Sequence, residues 1–231
     1  MSSISRLAIH HLYKCGGQSI VDRYKHNPTF AYCRVPGELV LNYGAEPLHR
    51  EHYPISDIDK LDIDVIMGHG VHMDLPGEWC HVSVLRDPVS RVVSGYNFHR
   101  LEMRMMYGVH TSIDFDNWFI NRERVLPTPF DWQYRHWGDT LEVACAGVDQ
   151  MDHLFILGDS SGERVDQLMQ ACGMTPDLDW THRHDTGVAL QQVGMEYVHW
   201  DELASLSQSR VRDEAVVEQQ FYNYVRGRAT C

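Results

Sequence analysis

Hydrophobic positions along the chain fall into short runs that alternate with segments of helical periodicity. Four apolar runs of strand length each end in a polar or glycine-containing turn: 6–13, 64–70, 79–86 and 153–158. Amphipathic segments follow three of them, and another comes last: 19–26, 88–106, 160–174 and 209–228. Strands alternating with helices predict an α/β fold of P-loop-like, three-layer type, with a central, mainly parallel sheet flanked by helices. Ligands of such sheets bind at the carboxyl ends of the strands.

Three other segments have weaker patterns. Residues 29–44 contain two β-like runs around Pro36-Gly37, which favours a hairpin. A helix is predicted over 111–124, and the prolines of 126–140 favour a loop over a site. We find no internal repeat and no linker, so a single domain is expected over 1–231.

The charge is acidic overall but unevenly distributed. A net charge of −12 argues against a general nucleic-acid binder, which needs a basic surface for phosphates. Cationic side chains nevertheless predominate in 1–26 and 86–104, whereas 54–80 is strongly acidic. Two basic segments in an acidic chain fit a localised anionic ligand better than an extended polyanion.

Composition also limits where the protein acts. Hydrophobic residues make up 43% of the chain, as expected for a globular protein with a core. No apolar run approaches the roughly 20 residues of a membrane-spanning helix, and the first residues do not resemble a secretory signal. The expected location is the cytoplasm. The six scattered cysteines indicate neither a disulfide framework nor a zinc ribbon.

The first basic segment contains a candidate phosphate loop. In "HHLYKCGGQS" (10–19), a glycine pair stands between an apolar run and a helical segment, where backbone N–H groups can approach an anion. Lys14 supplies a point charge. The lysine precedes the glycines, so the segment does not match the G-x-x-x-x-G-K-[ST] loop of ATP and GTP sites. A tight turn with a surface lysine is the alternative.

The second basic segment contains a candidate phosphate clamp. In "VLRDPVSRVVSGY" (84–96), Arg86 ends a strand and Ser94 lies two helical turns further on. Arginine can grip phosphate with two parallel hydrogen bonds, and serine adds a neutral donor. A helix cap at Asp87, with Arg86 in a surface ion pair, explains the segment equally well.

Together the two segments resemble a known family. They are similar to the H-I-P-K-T-G-G-T-S and L-R-D-P-V-E-R-x-x-S-x-Y segments of sulfotransferases that use 3′-phosphoadenosine 5′-phosphosulfate (PAPS), with closest likeness to the carbohydrate type, the heparan-sulfate 2-O-sulfotransferase-like group. Three more stretches resemble family segments in the same order: "MGHGVH" (67–72), "FDWQYRHWGD" (130–139) and "HLFILGDSSGERVDQLMQACGM" (153–174).

The resemblance implies roles for particular residues. The loop would hold the 5′-phosphosulfate through Lys14, Cys15, Gly16, Gly17, Gln18 and Ser19, of which Cys15 and Gln18 replace the family's threonines. Arg86 and Ser94 would hold the 3′-phosphate, and Arg183 is a further cofactor contact. His69 would be the catalytic base, with Lys14 stabilising charge on the departing oxygen. The predicted acceptor contacts are Gln133, Arg135 and His72, and His72 is also the reserve candidate for the base.

These residues imply transfer of a sulfuryl group from PAPS to an acceptor hydroxyl of a sugar, glycan or small metabolite, leaving adenosine 3′,5′-bisphosphate. No metal is expected, because the H-x-x-H pair of His69 and His72 lacks a third ligand. No nucleic acid and no membrane span are expected, and the oligomeric state is open. Two alternatives remain: an ATP-dependent phosphoryl-transfer enzyme, and a catalytically degenerate nucleotide-binding module of the same fold.

Overall fold

The computed structural model describes residues 5–108, 113–124, 130–158, 160–177 and 185–229. The chain forms two compact units. The first comprises 1–85, 146–183 and 225–231, and the second comprises 86–145 and 184–224. The expectation of a single domain over 1–231 stays a prediction.

The described residues form seven strands and eight α-helices. The strands are β1 (Leu7–His10), β2 (Phe30–Tyr32), β3 (Glu38–Leu41), β4 (Glu51–Pro54), β5 (Val65–Gly68), β6 (Cys80–Leu85) and β7 (His153–Ile156). The helices are α1 (Gly17–Tyr24), α2 (Pro88–Tyr107), α3 (Phe115–Asn121), α4 (Leu141–Val148), α5 (Ser161–Ala171), α6 (Thr186–Gln192), α7 (Ser205–Glu214) and α8 (Val216–Arg228). Short 3₁₀ helices cover 47–49, 55–60, 133–136 and 200–202.

The first unit is built on one sheet with the strand order β4-β3-β2-β5-β1-β6-β7. Five consecutive strands in this order run parallel to one another: β2, β5, β1, β6 and β7. β3 and β4 are antiparallel and complete one edge. The sheet and its helices confirm the predicted α/β fold with a mainly parallel central sheet, and the pairing of Tyr32 with Val40 confirms the predicted hairpin.

Both faces of the parallel strands at the centre of this sheet are buried, which explains why β1 and β5 are apolar without alternation. Leu7 and Ile9 of β1 pack on one face with side chains of α1 and α5. Ala8 faces the other way, into a cluster with Ile58 of the 3₁₀ helix and Trp79 of the following segment. The core of the first unit therefore lies on both sides of the parallel strands.

A buried ion pair ties α1 to α5. Arg23 donates from Nε to Asp166 Oδ1 at 3.0 Å and from Nη2 to Oδ2 at 2.7 Å. The Tyr24 hydroxyl donates to the same carboxylate. Because α1 begins at the candidate phosphate loop, this pair fixes the direction in which the loop's helix leaves the sheet.

The second unit is helical and aromatic. Asp87 caps α2 by accepting from the Ser90 N–H at 2.9 Å, and Pro88 occupies the first turn, as the sequence predicted. Tyr96 of α2 packs against Phe115 and Trp118 of α3, with ring centroids 5.2 and 5.4 Å away. Trp118 in turn contacts Phe130.

Two predicted helices differ from the observed ones. The predicted helix over 209–228 is wrong, because α7 and α8 are separate helices that meet at Ala215, where ψ reaches +7°. The break accompanies the complete burial of Glu218, whose carboxylate turns inward to the main chain of Gln133. Helix α1 begins at Gly17 and not at Ser19, because left-handed Gly16 provides its N-terminal cap.

Candidate functional site

The parallel strands β2, β5 and β1 are neighbours, and their carboxyl ends lie at one edge of the sheet. The residues that follow these ends are Arg34 after β2, His69 after β5, and the segment from His11 to Lys14 after β1. One edge of the first unit thus collects cationic and imidazole side chains, as expected for the ligand edge of a parallel sheet.

The loop between β1 and α1 has an unusual backbone. Lys14 has a φ of 63° and Gly16 a φ of 84°, so two of three consecutive residues adopt the left-handed conformation. A lysine in that region costs roughly 1–2 kcal/mol relative to the ordinary helical conformation. The turn leads directly into the first turn of α1, where the N–H groups precede the regular i→i−4 hydrogen bonds of the helix.

Gly17 is required by its neighbour His11. A Cβ at position 17 would lie 1.9 Å from Cδ2 and 2.3 Å from Nε2 of the His11 imidazole. Gly16 is similarly close to Leu157, whose Cδ1 would lie 2.9 Å from an added Cβ. The glycine pair therefore allows the loop to pack against both the end of β1 and the residue after β7.

Two further glycines place His69. Added Cβ atoms would lie 1.9 Å from the Cys33 oxygen at Gly68 and 2.4 Å from the Val35 carbonyl carbon at Gly70. The Gly70 N–H donates to the Cys33 carbonyl at 3.0 Å, and the His11 N–H donates to the Gly68 carbonyl at 3.1 Å. His69 is consequently held by main-chain contacts to both neighbouring strand ends.

His69 and His11 form a stacked pair, with centroids 4.2 Å apart and ring planes 24° apart. His69 keeps exposed surface, but packing on its His11 side removes the ring partly from water and so lowers its pKa. A hydrogen bond to the main chain of His11 opposes that shift, and the charge of Arg34 adds to it. At neutral pH the ring is therefore an unprotonated acceptor.

His11 is buried behind this ring. Burial is the main reason that the pKa of His11 lies well below its ordinary value, and electrostatic interactions with His69 and Lys14 lower it further. The Tyr32 hydroxyl lies 3.5 Å from His11 Nδ1, and burial raises the pKa of that hydroxyl. His11 is thus neutral and contacts His69, Tyr32 and Gly17.

Other loop residues have contacts of a different kind. Cys15 is buried, with Sγ 3.8 Å from the Tyr13 carbonyl. Gln18 donates from Nε2 to Asp22 Oδ1 at 3.1 Å, one turn further along α1. The Ser19 N–H donates to the Gly16 carbonyl at 3.2 Å. The Cys15 and Gln18 side chains therefore contact the protein's own loop and helix.

In the second unit, Arg86 is held by Gln133. The Arg86 N–H donates to Gln133 Oε1 and Gln133 Nε2 donates to the Arg86 carbonyl, each at 2.9 Å. Gln133 is 1% exposed and also donates to Glu218 Oε1 at 2.7 Å. The sequence predicts that Gln133 contacts the acceptor substrate. In the structure, its side chain holds the main chain of Arg86 through two hydrogen bonds.

The remaining predicted residues are dispersed. Ser94 is buried on α2, and Arg135 pairs with Asp131 at 3.0 Å and Glu123 at 3.3 Å. His72 is exposed on the segment after β5. Arg183 lies outside the described residues. Their roles in binding cofactor or acceptor stay predictions.

Sequence reasoning missed three residues that the structure places around the predicted ones: His11, Arg34 and Glu218. His11 and Arg34 carried a detectable signal, because each follows the carboxyl end of a parallel strand within two residues. Glu218 carried no signal, because a glutamate in an amphipathic helix ordinarily faces water.

Within the described ranges, no group of three or more His, Cys, Asp or Glu side chains is arranged to hold a metal ion. Nor does any helix within 5–108, 113–124, 130–158, 160–177 or 185–229 have the length and apolar character needed to cross a membrane.

Comparisons with known proteins give a distant structural likeness. No protein-family model matches the chain, and no curated protein matches it. Among solved structures, the crystal structure of a sulfotransferase from Alicyclobacillus acidocaldarius is similar, with 14% sequence identity and a TM-score of 0.46. The alignment covers 98% of this chain and 96% of that chain. At this distance the likeness assigns neither a reaction nor a cofactor to the protein.

Proposed function

We propose that the protein is a PAPS-dependent O-sulfotransferase with His69 as its catalytic base. One observation carries the proposal: the His11 ring stacks on His69 and also abuts Gly17 in the loop after β1. The buried side chain of His11 therefore contacts both the neutral imidazole of His69 and Gly17 at the start of α1. That combination suits transfer of an anionic group to a hydroxyl.

The loop fits the phosphosulfate end of such a cofactor. Its left-handed turn at Lys14 and Gly16 leads into the N–H groups of the first turn of α1, an eight-residue helix. Backbone N–H groups and the helix dipole favour an anion there, and Lys14 adds a full positive charge. A Cβ at position 17 would meet His11, which restricts the loop to residues that leave room for close approach.

The chain's own residues would divide the reaction between them. When bound, PAPS would supply an activated sulfuryl group, whose sulfur forms a bond to the acceptor oxygen as its bond to the 5′-phosphate oxygen breaks. His69 takes the hydroxyl proton on the ring nitrogen that does not bond the His11 main chain. Lys14 and the α1 N–H groups stabilise negative charge on the leaving phosphate oxygen, and Arg86 with Ser94 holds the 3′-phosphate. The products are a sulfate ester and adenosine 3′,5′-bisphosphate.

The acceptor we propose is a neutral or weakly charged sugar or another small hydroxylated molecule, within the carbohydrate type of the family. The acidic residues of 54–80 belong to the same unit as His69, and negative charge near an acceptor disfavours densely sulfated polymers. Strong turnover of a heparan-like polymer by the purified protein would contradict this assignment.

Transfer of labelled sulfate from PAPS to a panel of hydroxyl acceptors tests the proposal. His69→Ala is expected to lower the rate by about 10²-fold or more, the usual contribution of a general base. The control His49→Gln, at an exposed histidine outside the proposed site, is expected to keep most of the rate. A rise in melting temperature with adenosine 3′,5′-bisphosphate, and none with ATP and Mg²⁺, would exclude the phosphoryl-transfer alternative.

A second candidate, a nucleotide-binding module without catalysis, has a specific observation in its favour. The Cys15 thiol is buried and the Gln18 amide bonds Asp22, so two side chains at the threonine positions have contacts within the protein. Binding of adenosine 3′,5′-bisphosphate without transfer to any acceptor would favour this module. Gln18→Thr with Cys15→Thr would then be expected to strengthen nucleotide binding.

A further inference from the structure

Arg86 stands between two fixed points of the main chain. Strand pairing of β6 ends at Leu85, and α2 begins at Pro88 under the Asp87 cap. Between them, the Gln133 side chain pairs with both main-chain groups of Arg86 at 2.9 Å. Its amide thus provides the donor and acceptor that a neighbouring strand would otherwise provide.

The orientation of the Gln133 amide is set by Glu218. Oε1 of this carboxylate accepts from Gln133 Nε2 at 2.7 Å and from the Gln133 N–H at 3.0 Å. Its Oε2 accepts from the Tyr134 N–H at 3.2 Å. A flipped amide would face the Glu218 carboxylate and the Arg86 carbonyl with oxygen, so one orientation is strongly preferred.

The buried charge of Glu218 is balanced by Arg91, one turn into α2. Arg91 Nη1 lies 3.8 Å from Glu218 Oε1, and Nη2 donates to the Asp131 carbonyl at 2.6 Å. Glu218 is 0% and Arg91 3% exposed. Burial of two charges costs stability unless both are paired and hydrogen-bonded. The pair of Glu218 and Arg91 therefore restricts the position of Gln133, which donates to Glu218.

We propose that Gln133 and Glu218 are positioning residues that aim the Arg86 guanidinium at the 3′-phosphate of the nucleotide. The inference rests on the proposed function, in which Arg86 binds that phosphate. It gives Gln133 a role different from acceptor binding. It also makes Glu218, a residue of the C-terminal helix, a determinant of cofactor selectivity.

The test compares two ligands that differ by the 3′-phosphate: adenosine 3′,5′-bisphosphate and adenosine 5′-monophosphate. Calorimetry gives the ratio of their dissociation constants for each variant. Gln133→Leu and Glu218→Gln are expected to lower the preference for the bisphosphate about tenfold, with the monophosphate affinity nearly unchanged. A loss of fold would weaken both ligands alike and leave the ratio in place.

A matched control exists in the same unit. Asp116 of α3 accepts from Ser207 of α7 at 2.9 Å and pairs with Arg210 at 3.3 Å. Asp116→Asn is expected to lower stability without changing the ratio. The double variant Arg86→Ala with Gln133→Leu is expected to lose no more of the ratio than Arg86→Ala alone, because both act through one guanidinium.

The outcomes separate the inference from the function beneath it. If Arg86→Ala leaves the ratio unchanged, the proposed phosphate role of Arg86 fails. If Arg86→Ala abolishes the preference but Gln133→Leu and Glu218→Gln do not, the positioning role is overturned. Should both variants fail to fold, the test is hydrogen exchange at the Arg86 amide of the unmodified chain. Slow exchange is expected, and rapid exchange contradicts the hydrogen bonding of Arg86 by Gln133.

Discussion

The imidazole of His69 lies face to face with that of His11, with centroids 4.2 Å apart, although the two histidines follow different strands. Because partial burial lowers the pKa of His69, we expect the acidic limb of the pH–rate profile to fall below the ordinary value of about 6.5. Measurement of kcat/KM between pH 4.5 and 8 in the transfer assay checks this, and a midpoint above about 6.5 would contradict a His69 base in this environment.

Burial of several histidines also predicts that the stability of the protein depends on pH. Burial lowers the pKa of His11, His69, His81 and His99. The unfolded chain therefore takes up protons near pH 6.5 before the folded protein does, and the free energy of unfolding falls as the pH drops below about 6.5. Urea unfolding at pH 7.5 and 5.5 measures the loss.

The matched variants for this measurement are His11→Phe and His49→Gln. His11→Phe is expected to reduce the loss on acidification, because a buried titrating group is removed. His49 is exposed, and its replacement is expected to leave the loss as it is. An equal loss in His11→Phe and the unmodified protein would show that His11 is not involved.

Gly17→Ala is expected to be more damaging than an alanine in most turns. Its Cβ would lie 1.9 Å from the His11 ring, so either the ring or the loop must move, at an expected cost of about 1–3 kcal/mol in unfolding free energy. The displaced ring would also disturb its stack on His69. Chemical unfolding and nucleotide binding both report the change.

Gly227→Ala is the control for that substitution. Gly227 lies in α8, where an added Cβ meets nothing within 4 Å. Because alanine favours a helix over glycine, we expect a stability gain of up to about 1 kcal/mol and unchanged nucleotide binding. Equal effects of the two substitutions would argue against a special fit at Gly17.

Lys14 combines a charge with a left-handed backbone, and two variants separate them. Lys14→Gly and Lys14→Ala both remove the ammonium and are expected to lose transfer activity. Glycine tolerates the φ of 63°, so Lys14→Gly is expected to be about 1 kcal/mol more stable than Lys14→Ala. Stability measured by urea unfolding, with activity alongside, checks both. A fully active Lys14→Gly protein would remove Lys14 from the proposed mechanism.

The pair of Arg23 and Asp166 predicts a purely structural effect. Asp166→Asn leaves the buried Arg23 guanidinium without its charged partner and is expected to cost about 3–5 kcal/mol. Where the variant remains folded, the preference for adenosine 3′,5′-bisphosphate over the monophosphate is expected to persist. A changed preference would connect this pair to the nucleotide site.

The fold was largely accessible from the sequence because its central strands are buried on both sides. Continuous apolar runs at 64–70 and 153–158 become β5 and β7, and the glycines and prolines beside them mark the turns. β4 was not predicted. It is a mostly exposed edge strand, and its polar residues give no apolar run to detect.

The candidate site was accessible only in part. Lys14, Gly17 and His69 follow strand ends in a recognisable order, whereas the His11–His69 stack depends on the pairing of β1 with β5. The link from Glu218 to Gln133 joins residues 85 positions apart. The periodicity of hydrophobic residues in the sequence cannot predict such a contact, because it indicates only which face of α8 is buried.

The position of β4 at one end of the strand order affects how the protein behaves at high concentration. An open sheet edge can recruit a strand from another molecule and begin aggregation. Here the edge strand is only four residues long, is mostly exposed, begins with Glu51 and His52, and ends at Pro54, which has no N–H to donate. This edge of the sheet is therefore expected to resist pairing with a strand of another molecule.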